Sequence, residues 1–450
     1  MELSGKNTMV VGLGQSGLSV VRFLLGRGAL VRVNDRRDAD ALGAAASEAA
    51  ALGADLVLGG HPDTAFEGLD LIVVSPGVPP LPQLDAAAAR GVPVVSEIEL
   101  AARFIQAPIV AITGTNGKST VTTLVGKMCA RLGRPLFVGG NLGQPMIDAV
   151  GTDAARENGI VVVELSSFQL ERVAQMKVHV AVLLNVTPDH LDRYTSFEAY
   201  AEAKARIFER QEADDFAILP ADAPELRELV RGDGTVLLFG GLHGEVRVTD
   251  DALVDAGGAL RVSVRDLRLR GRHNLSNACA AVLAARLVGV HADDIAAVLR
   301  EFEGLPHRMQ HVRTIDGVEY IDDSKATNVG AAVASIDGLA GSATKIVLIA
   351  GGVDKGGSYD PLRARMVEEG RAMVVLGEAA PLLARAFSGS SIELQHADSM
   401  QDAVARAAAL AKPGDTVLLA PACSSFDMFR SYAERGEVFQ QAVRTLGGQS

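Results

Sequence analysis

Short runs of Val, Ile and Leu alternate with helical stretches along most of this chain. A strand that is buried on both faces of a sheet is apolar throughout, so this alternation predicts parallel sheets that are covered by helices. The runs fall into three segments: one ends near Ile105, the next opens with "PIVAIT", and the last opens near "GLPHRMQHV". We therefore expect an α/β protein with three domains, at residues 1–105, 106–306 and 307–450.

The predicted strands can be read from the apolar runs themselves. In the first segment they are "NTMVVGLG", "ALVRVND" and "LDLIVVSPG"; in the second, "PIVAIT", "GIVVVELSS", "VHVAVLLNV", "FAILP" and "TVLLFG"; in the third, "VEYIDDS", "KIVLIAGG", "AMVVLGE" and "DTVLLAPA". Helices are predicted in "NACAAVLAARLVG" and "DDIAAVLREF". The Ala-rich stretch "ADALGAAASEAAALGA" also favours a helix, because alanine has the highest helix propensity.

Length and composition narrow the class of protein. A chain of 450 residues accommodates two to four domains, because a single hydrophobic core stops growing at roughly 250–300 residues. No apolar run approaches the roughly 18 residues needed to span a bilayer, and "MELSGKNTMVVG" lacks the apolar core of a signal peptide. We expect a cytoplasmic protein that does not insert into a membrane.

Charge and cysteine content exclude further classes. The 43 Lys and Arg residues against 55 Asp and Glu residues give a net charge of -12, which disfavours a broad nucleic-acid-binding surface. Local basic pockets for phosphorylated small molecules remain compatible with this charge. Cys129, Cys279 and Cys423 are far apart and form no CxxC pattern, so we expect buried thiols instead of disulfides or a zinc site.

The stretch "VVGLGQSGLS" carries the first motif. Gly12, Gly14 and Gly17 follow an apolar strand and precede a helix, and Asp35 ends the second strand, which is the dinucleotide-binding fingerprint. The motif specifies a ribose and a diphosphate, so it fits both a nicotinamide dehydrogenase and an enzyme that binds a UDP-sugar. A weaker signal is "SPG" at residues 75–77, where a third strand end turns.

The stretch "TGTNGKST" carries the second motif. It follows the strand that ends at Ile112, and Ile112 stands where the usual phosphate loop has its first glycine. Gly114 and Gly117 allow backbone N–H groups to face phosphate oxygens, and Lys118 supplies a positive charge. The Ser119 hydroxyl is a ligand of the kind that Mg²⁺ binds.

Acidic and imidazole side chains follow two later strands of the central segment. Glu164 ends "VVVE", and Asp189, His190 and Asp192 follow "LLNVTP". Ligands of open α/β sheets bind at the carboxyl ends of strands, so these side chains are candidates for a metal site beside the phosphate loop.

Six motifs in order resemble the Mur ligases, ATP-dependent amide-forming enzymes of peptidoglycan synthesis that are similar to folylpolyglutamate synthetases. The motifs are "TGTNGKS", "ELSSFQL", "NVTPDHLDRY", "GRHNLSNACAA", "LPHRMQ" and "DDSKATN". The resemblance implies a Rossmann-like first domain for a UDP-sugar, a central domain with the parallel sheet of a phosphate-loop ATPase, and a Rossmann-like third domain for an amino acid. It assigns the first glycine motif to UDP.

Two stretches resemble one member of the family in particular. "DDSKATNVGA" and "APACSSFDMF" are similar to those of the ligase that adds D-glutamate to UDP-N-acetylmuramoyl-L-alanine. The resemblance implies that the carboxylate of the sugar-linked substrate is phosphorylated by ATP and that the D-glutamate amine then attacks the acyl phosphate. It also implies ATP and two Mg²⁺ ions as cofactors, and we expect a monomer.

The resemblance implies roles for individual residues. The catalytic residues are Lys118, Asn141, Glu164, His190 and Lys204. The Mg²⁺ ligands are Ser119, Glu164, His190 and Lys204, the last as a carbamate formed with CO₂. The ATP contacts are Gly114, Thr115, Asn116, Gly117, Lys118, Ser119, Thr120, Asn274, Arg308, Asp323 and Lys325.

The two other substrates have their own predicted contacts. Those of the UDP-linked substrate are Gly14, Ser16, Asp35, Arg36, Ser75, Gly77, Asn141 and Ser166. Those of D-glutamate are Thr327, Lys355, Ser425, Phe426 and Tyr432. One sequence leaves open the register between Ser424 and Ser425, and between Phe429 and Tyr432.

Three other functions fit part of the sequence. Another ligase of the same family, or one of the folylpolyglutamate type, would use a different amino acid. An NAD-dependent oxidoreductase would bind a dinucleotide and release no phosphate. A non-catalytic regulator would bind a nucleotide without turnover, but the presence of Lys118, Glu164 and His190 argues against this function.

Overall fold

The computed structural model describes residues 1–190, 193–269, 271–339 and 345–446. Their strands form three sheets with helices between them, which confirms the predicted α/β class. Backbone proximity divides the chain into two compact units. The first comprises Met1–Val186, Glu198–Arg261 and Ala278–Val298, and the second comprises Thr187–Phe197, Val262–Asn277 and Leu299–Ser450. The phosphate loop lies in the first unit.

The first sheet is parallel and has the strand order β3-β2-β1-β4-β5. Its strands are β1 (Asn7–Val11), β2 (Leu30–Asp35), β3 (Asp55–Leu58), β4 (Leu71–Val74) and β5 (Val94–Ser96). Its helices are α1 (Gln15–Gly26), α2 (Ala39–Leu42), α3 (Ala44–Ala51), α4 (Pro82–Ala89) and α5 (Glu97–Ala102). The order places β1 and β4 side by side at the centre, where the connections change direction.

The two faces of this sheet are buried against different clusters. Val10 and Val73 pack into one hydrophobic cluster, whereas their neighbours Val11 and Ile72 pack into the cluster on the opposite face. Apart from Thr8, both central strands are therefore apolar at their buried positions, as the sequence pattern predicts. The Ala-rich helix differs from its prediction, because Gly43 at φ 53° separates α2 from α3.

The central sheet has nine strands in the order β14-β13-β12-β11-β10-β9-β6-β8-β7. They are β6 (Ile109–Thr113), β7 (Leu136–Gly140), β8 (Ile160–Glu164), β9 (Val180–Leu183), β10 (Phe216–Pro220), β11 (Thr235–Phe239), β12 (Val246–Val248), β13 (Ala252–Asp255) and β14 (Arg261–Ser263). The helices of this part of the chain are α6 (Lys118–Cys129), α7 (Ser167–Leu170), α8 (Phe197–Ala205), α9 (Arg272–Leu287) and α10 (Ala292–Glu301).

Two features of this sheet bear on function and prediction. Strand β6 lies between β8 and β9, so the loop after β6 is flanked by the ends of both neighbours.

Strands β12 and β13 pair antiparallel, which the alternation of strands and helices did not predict. They contain three and four residues, too few to display a periodicity of their own.

The third sheet has the order β15-β16-β20-β17-β18-β19, with β15 antiparallel to β16 and the other pairs parallel. Its strands are β15 (Gln310–Ile315), β16 (Val318–Asp322), β17 (Ile346–Gly351), β18 (Gly370–Leu376), β19 (Glu393–His396) and β20 (Thr416–Leu419). Its helices are α11 (Val329–Leu339), α12 (Asp360–Glu369), α13 (Ala380–Ala386), α14 (Met400–Leu410) and α15 (Tyr432–Leu446).

The cysteines are buried thiols, as predicted. Burial raises the pKa of Cys129 and of Cys279 to about 12, and that of Cys423 to about 11. Thiols of this kind are mostly unreactive, because the thiolate is the nucleophilic form. Within the described part of the chain, no helix is long and apolar enough to cross a membrane.

Candidate functional site

A cleft of about 660 Å³ opens at the carboxyl ends of β1, β2 and β4. This edge, where the strand order changes direction, is where open α/β sheets bind ligands. Seven of the eight residues predicted to contact the UDP-linked substrate line the cleft: Gly14, Ser16, Asp35, Arg36, Ser75, Gly77 and Asn141. The eighth, Ser166, caps the first turn of α7, where its hydroxyl accepts from the backbone N–H of Gln169.

The glycines of the first motif are required by close packing. A side chain on Gly17 would place its Cβ 2.0 Å from the carbonyl oxygen of Gly12, and Gly12 itself has φ 90°. The Ser75 hydroxyl donates to the same carbonyl oxygen at 2.7 Å. The turn after β1 is therefore held against both α1 and the end of β4, and it leaves the N-terminus of α1 at the cleft.

Asp35 holds this turn with its carboxylate. One oxygen accepts from Leu13 N at 2.8 Å, and both oxygens accept from the Arg37 guanidinium. Burial opposes ionisation, but the hydrogen bonds from Arg37 and Leu13 outweigh it and lower the pKa of Asp35 to about 2. Arg36 and Arg37 also line the cleft, so it carries local positive charge on an acidic protein.

His61 lies in the same cleft and was missed by sequence reasoning. Its Nδ1 lies 2.5 Å from the Asn34 side-chain oxygen, and the Asn34 amide nitrogen donates to the carbonyl groups of Val57 and Gly60. His61 follows the carboxyl end of β3, which lies next to β2 in the sheet. A polar residue just after this strand was the signal that could have identified it.

The phosphate loop joins β6 to α6. Gly114 at φ 147° packs against Leu184 and Asn185, and Gly117 at φ 88° caps the N-terminus of α6. The ammonium of Lys118 donates to the carbonyl oxygens of Gly114 and Thr115. Ser119 and Thr120 lie in the first turn of α6, whose N-terminal amides and dipole favour anions.

Asn185 holds the loop from the end of β9. Its side-chain oxygen accepts from Asn116 N at 2.9 Å, and its amide nitrogen donates to Asn116 O at 3.1 Å. Its backbone oxygen accepts from Thr115 N at 3.0 Å. Sequence reasoning overlooked this residue, although it is the first polar residue after a strand adjacent to β6.

Glu164 lies at the end of β8, on the other side of the loop. One of its side-chain oxygens accepts from the Asn141 amide at 2.7 Å, while the other, Oε2, is buried and has no hydrogen-bond partner among the described residues. Because Asn141 also lines the large cleft, its side chain connects that cleft to the acid beside the phosphate loop.

Lys204 reaches the phosphate loop from α8. The side chain is 1% exposed, and its Nζ donates to the carbonyl oxygen of Gly114 at 2.9 Å. Lys118 donates to the same oxygen, so two lysine nitrogens meet there. The Lys204 nitrogen also lies 4.5 Å from the centre of the Tyr200 ring, and the Tyr200 hydroxyl contacts the Thr115 hydroxyl.

His190, the remaining predicted metal ligand, belongs to the second unit. Its backbone has φ 55°, its N–H donates to Asp189, and its imidazole lies 3.7 Å from the same carboxylate. Asp192, the third side chain of this predicted cluster, lies outside the described residues. No group of three or more His, Cys, Asp and Glu side chains forms a metal cluster within the part of the chain that the structure describes.

Asp189 is the centre of a polar cluster in the second unit. It pairs with the Lys355 ammonium at 3.3 Å and accepts from the Asn328 amide at 3.0 Å. Burial opposes ionisation of Asp189, but the charges of Lys355 and His190 outweigh it and hold its pKa below the usual range. These residues, with the exception of His190, line a mainly apolar cleft of about 280 Å³.

The other residues predicted to contact D-glutamate do not line that cleft. Ser425 is buried and its carbonyl accepts from Phe429 N, whereas Phe426 is 75% exposed. Tyr432 begins α15, and its ring lies 3.9 Å from the Lys325 nitrogen. Thr327 donates its N–H to Lys325 O.

The predicted ATP contacts of the second unit occupy two places. Asn274 and Arg308 line a cleft of about 400 Å³. Asp323 is buried against Ser335, and burial raises its pKa to about 6 against the opposing effects of Ser335 and Arg308. The first unit therefore carries a glycine-rich loop beside a large cleft, and the second carries one cleft that contains Lys355 and another that contains Arg308.

A glycine-rich loop with a lysine, a buried acid and a nearby cleft at the carboxyl edge of a parallel sheet are typical of enzymes that transfer phosphoryl groups from nucleotides. Family models agree with this class: the Mur ligase middle domain matches residues 112–285, the MurD-like N-terminal domain of Mur ligases matches 6–96, and the glutamate ligase domain of Mur ligases matches 307–423. The chain belongs to the Mur ligase family of ATP-dependent, amide-forming ligases.

Two similar proteins share one name. The chain is 46% identical to the UDP-N-acetylmuramoylalanine--D-glutamate ligase of Geobacter metallireducens, and the alignment covers 99% of each protein. It is also 46% identical to the ligase of the same name from Desulfosudis oleivorans, over 99% of this chain and 98% of the other.

Solved structures share the fold at low sequence identity. The pseudomurein peptide ligase type C from Methanothermus fervidus superimposes with a TM-score of 0.63 at 19% identity, over 98% of this chain and 100% of the other. The MurF ligase from Thermotoga maritima in complex with ADP gives 0.61 at 19% identity, over 99% and 97%. The three-domain α/β fold predicted from the sequence is thus confirmed.

Proposed function

We propose that this chain uses ATP to join D-glutamate to UDP-N-acetylmuramoyl-L-alanine, in the cytoplasm and as a monomer. Whole-length identity of 46% to ligases of that name supports the choice of substrates. The structural observation that carries the proposal is Asn141, which lines the nucleotide cleft and donates to Glu164 beside the phosphate loop. A UDP-linked carboxylate substrate and the ATP phosphates would meet at this side chain.

Chemistry explains why such a ligase needs ATP. A carboxylate is a poor acyl donor because its leaving group would be an oxide. Attack of a carboxylate oxygen on the γ-phosphorus breaks the bond to the β-phosphate oxygen and releases ADP. The amine nitrogen then attacks the acyl carbon, phosphate leaves with the electron pair of the C–O bond, and the nitrogen loses a proton.

The residues of the loop would position and neutralise these anions. The loop leads into the N-terminus of α6, whose amides favour anions, and Lys118 adds a positive charge whose ammonium is oriented by two carbonyl oxygens. Thr115, Asn116 and Thr120 contribute further donors. In the second unit, Asn274, Arg308, Asp323 and Lys325 would complete ATP binding.

The donor set fits magnesium. The unpartnered buried oxygen of Glu164 and the Ser119 hydroxyl are hard oxygen ligands of the kind that Mg²⁺ prefers. Bound Mg²⁺ supplies charge neutralisation and orientation of the phosphate oxygens. We propose that Ser119 and Glu164 hold one ion, and that His190 and a carbamylated Lys204 hold a second.

The surroundings of Lys204 in the first unit give a physical reason for its carbamylation. The nitrogens of Lys204 and Lys118 meet at one carbonyl oxygen in a buried place, where two positive charges repel each other strongly. Addition of CO₂ converts the Lys204 amine into an anionic oxygen ligand. The experiment is mass measurement on intact, CO₂-equilibrated protein together with the activity of Lys204→Ala; a plain amine together with full activity of the variant contradicts the carbamate.

We propose that D-glutamate binds in the second unit. Lys355 is the natural partner of a carboxylate, because its ammonium faces a mainly apolar cleft. Thr327, Ser425, Phe426 and Tyr432 would contact the rest of the amino acid. The UDP-linked substrate would be contacted by Gly14, Ser16, Asp35, Arg36, Ser75, Gly77 and Ser166. We propose domain boundaries at residues 1–105, 106–306 and 307–450.

ADP release by the purified protein tests the proposal. We expect turnover that requires UDP-N-acetylmuramoyl-L-alanine, D-glutamate and Mg²⁺ together. L-amino acids tested one at a time serve as matched substrates for the other family ligases, and Lys118→Ala controls for contaminating ATPases. Turnover with an L-amino acid and none with D-glutamate would contradict the assignment.

A further inference from the structure

The loop that carries Lys355 is fixed by contacts on both sides. It connects β17 to α12, and its residue Val353 pairs through both backbone groups with Ser424. The carboxylate of Asp354 accepts from Gly356 N at 3.0 Å and from the Tyr359 hydroxyl at 2.6 Å. Both oxygens of Asp354 are therefore bound within the loop, directly beside Lys355.

Tyr359 is the buried member of this group. Its side chain is packed in the core, and its hydroxyl lies 3.2 Å from the Cys423 sulfur. An ionised carboxylate only accepts, so the single hydroxyl proton goes to Asp354 and the Cys423 thiol donates to the Tyr359 oxygen. Burial, together with Cys423 and Asp354, holds the pKa of Tyr359 far above its usual range, so this donor is present at every working pH.

Asp354 and Lys355 both line the cleft of about 280 Å³. Within the described residues, the Lys355 ammonium contacts one carboxylate, that of Asp189. An ammonium has three donors, so a second anion can bind. If Asp354 lost the Tyr359 hydroxyl, its oxygen would need another donor in a poorly solvated place, and the adjacent Lys355 is the strongest one available.

We propose that Tyr359 is a positioning residue for the amino-acid substrate: its hydroxyl keeps Asp354 within the loop and so leaves Lys355 available to the substrate carboxylate. This role rests on the proposed binding of D-glutamate by Lys355. Tyr359 acts through its neighbours and does not touch the reacting atoms.

Steady-state kinetics of Tyr359→Phe test this role. We expect the KM for D-glutamate to rise about tenfold, which corresponds to the loss of one hydrogen bond to a charged group. The kcat and the KM for ATP stay within twofold of the wild type, because the hydroxyl does not reach the phosphates. Tyr320→Phe is the matched control, since it removes another buried tyrosine hydroxyl from the same unit outside the cleft.

Asp354→Asn separates positioning from mere packing. Removing the competing negative charge lowers the KM for D-glutamate two- to threefold in the wild-type background and restores it in Tyr359→Phe. A purely structural role predicts that the two changes damage the enzyme additively. Asp354→Asn alone tests the same point should Tyr359→Phe fail to fold, and a higher KM in that variant overturns the proposal.

The results also distinguish a failure of the Tyr359 positioning role from a failure of the proposed amino-acid substrate. If wild-type protein releases no ADP with D-glutamate but does so with another amino acid, the proposed substrate is wrong, and the same variants are then measured with that amino acid. If D-glutamate is the substrate and Tyr359→Phe leaves its KM unchanged, or raises the KM for ATP equally, the positioning role is wrong.

Discussion

Asn185 shows how one side chain can stabilise a phosphate loop in which Ile112 stands at the position of the usual first glycine. Its amide accepts from Asn116 N and donates to Asn116 O, so it pairs with the loop as a neighbouring strand would. Ile112 lies within β6, which extends one residue further than predicted, to Thr113, and Gly114 makes the turn with φ 147°. The loop is preorganised by the adjacent strand end, and preorganised donors cost little reorganisation when phosphate binds.

Asn185→Ala is therefore predicted to weaken ATP use. Loss of two hydrogen bonds of about 1 kcal/mol each lowers kcat/KM for ATP by about 10- to 100-fold. The KM for the UDP-linked substrate changes much less. Asn158→Ala, at an exposed asparagine outside the site, is the control. Equal losses for both substrates would argue against a specific role of Asn185 in the phosphate loop.

Glu97 is a buried carboxyl group with a raised pKa, which makes the stability of the protein depend on pH. One oxygen accepts from Ile147 N at 2.6 Å, and the other is buried without a partner among the described residues. Burial, to which Asp148 adds, raises the pKa of Glu97 to about 7 from 4.5. Between these two pH values the folded protein holds a proton that the unfolded chain has released.

The free energy of unfolding is consequently expected to fall as the pH rises from about 4.5 to about 7. A shift of this size corresponds to about 3 kcal/mol, present in full below the lower value and lost above the upper one. Glu97→Gln removes this component, so its stability changes less than that of the wild type between pH 5 and pH 8 in urea unfolding. Glu67→Gln, at an exposed site, should keep the wild-type pH dependence; identical slopes for all three proteins would contradict the prediction.

At the scale of elements, helix α1 contains two glycines in opposite situations. A Cβ on Gly17 would lie 2.0 Å from Gly12 O, whereas a Cβ on Gly26 would meet no atom within 4 Å. Gly17 allows the helix to approach the turn after β1, and Gly26 only adds flexibility to the last turn. The same helix therefore supplies a test and its own control.

Gly17→Ala is predicted to lower the free energy of unfolding by about 2 kcal/mol and to weaken UDP binding at least tenfold, because the turn must move. Gly26→Ala should raise stability by about 0.5–1 kcal/mol through helix propensity and leave UDP binding unchanged. Thermal unfolding and calorimetric titration with UDP measure both. Similar destabilisation by the two substitutions would show that α1 does not pack on the turn as described.

The elements differ in how well periodicity predicts them. Strands such as β6, β8 and β17 are buried at every position and apolar up to their last residue, because both faces are covered, and they stand out in the sequence. The short antiparallel pair β12 and β13 does not, because its position depends on pairing at the sheet edge. The interruption between α2 and α3 depends on one glycine, which propensity alone would tolerate.

At the scale of the whole molecule, the first unit has separate places for the two nucleotides of the proposed reaction. The cleft proposed for UDP lies at the ends of β1, β2 and β4, and the phosphate loop lies at the end of β6. Asn141 belongs to the first and contacts Glu164 beside the second. A ligase that couples ATP to a UDP-linked carboxylate requires this arrangement, whereas a dehydrogenase needs one dinucleotide site.

Hydrogen exchange should resolve the two places. We expect UDP to slow amide exchange in residues 12–17, 35–37 and 75–79, and Mg²⁺ with ADP to slow it in residues 114–120, because each ligand orders the turn it contacts. Lys118→Ala should abolish the second footprint and keep the first. Protection of residues 12–17 by ADP alone would instead favour a dinucleotide site in the first cleft.

The sequence alone determined the class of fold, the two glycine loops and the family, because local periodicity, turn glycines and ordered motifs are properties of short stretches. Seven of the eight predicted UDP contacts line one cleft, and six of them lie at or just after the ends of β1, β2 and β4, strands that the apolar runs had predicted. Only the tertiary structure decided which distant side chains meet. Asn185 reaches Asn116 across 69 residues and Lys204 reaches Gly114 across 90. Such contacts depend on strand order and helix packing, which no local pattern specifies.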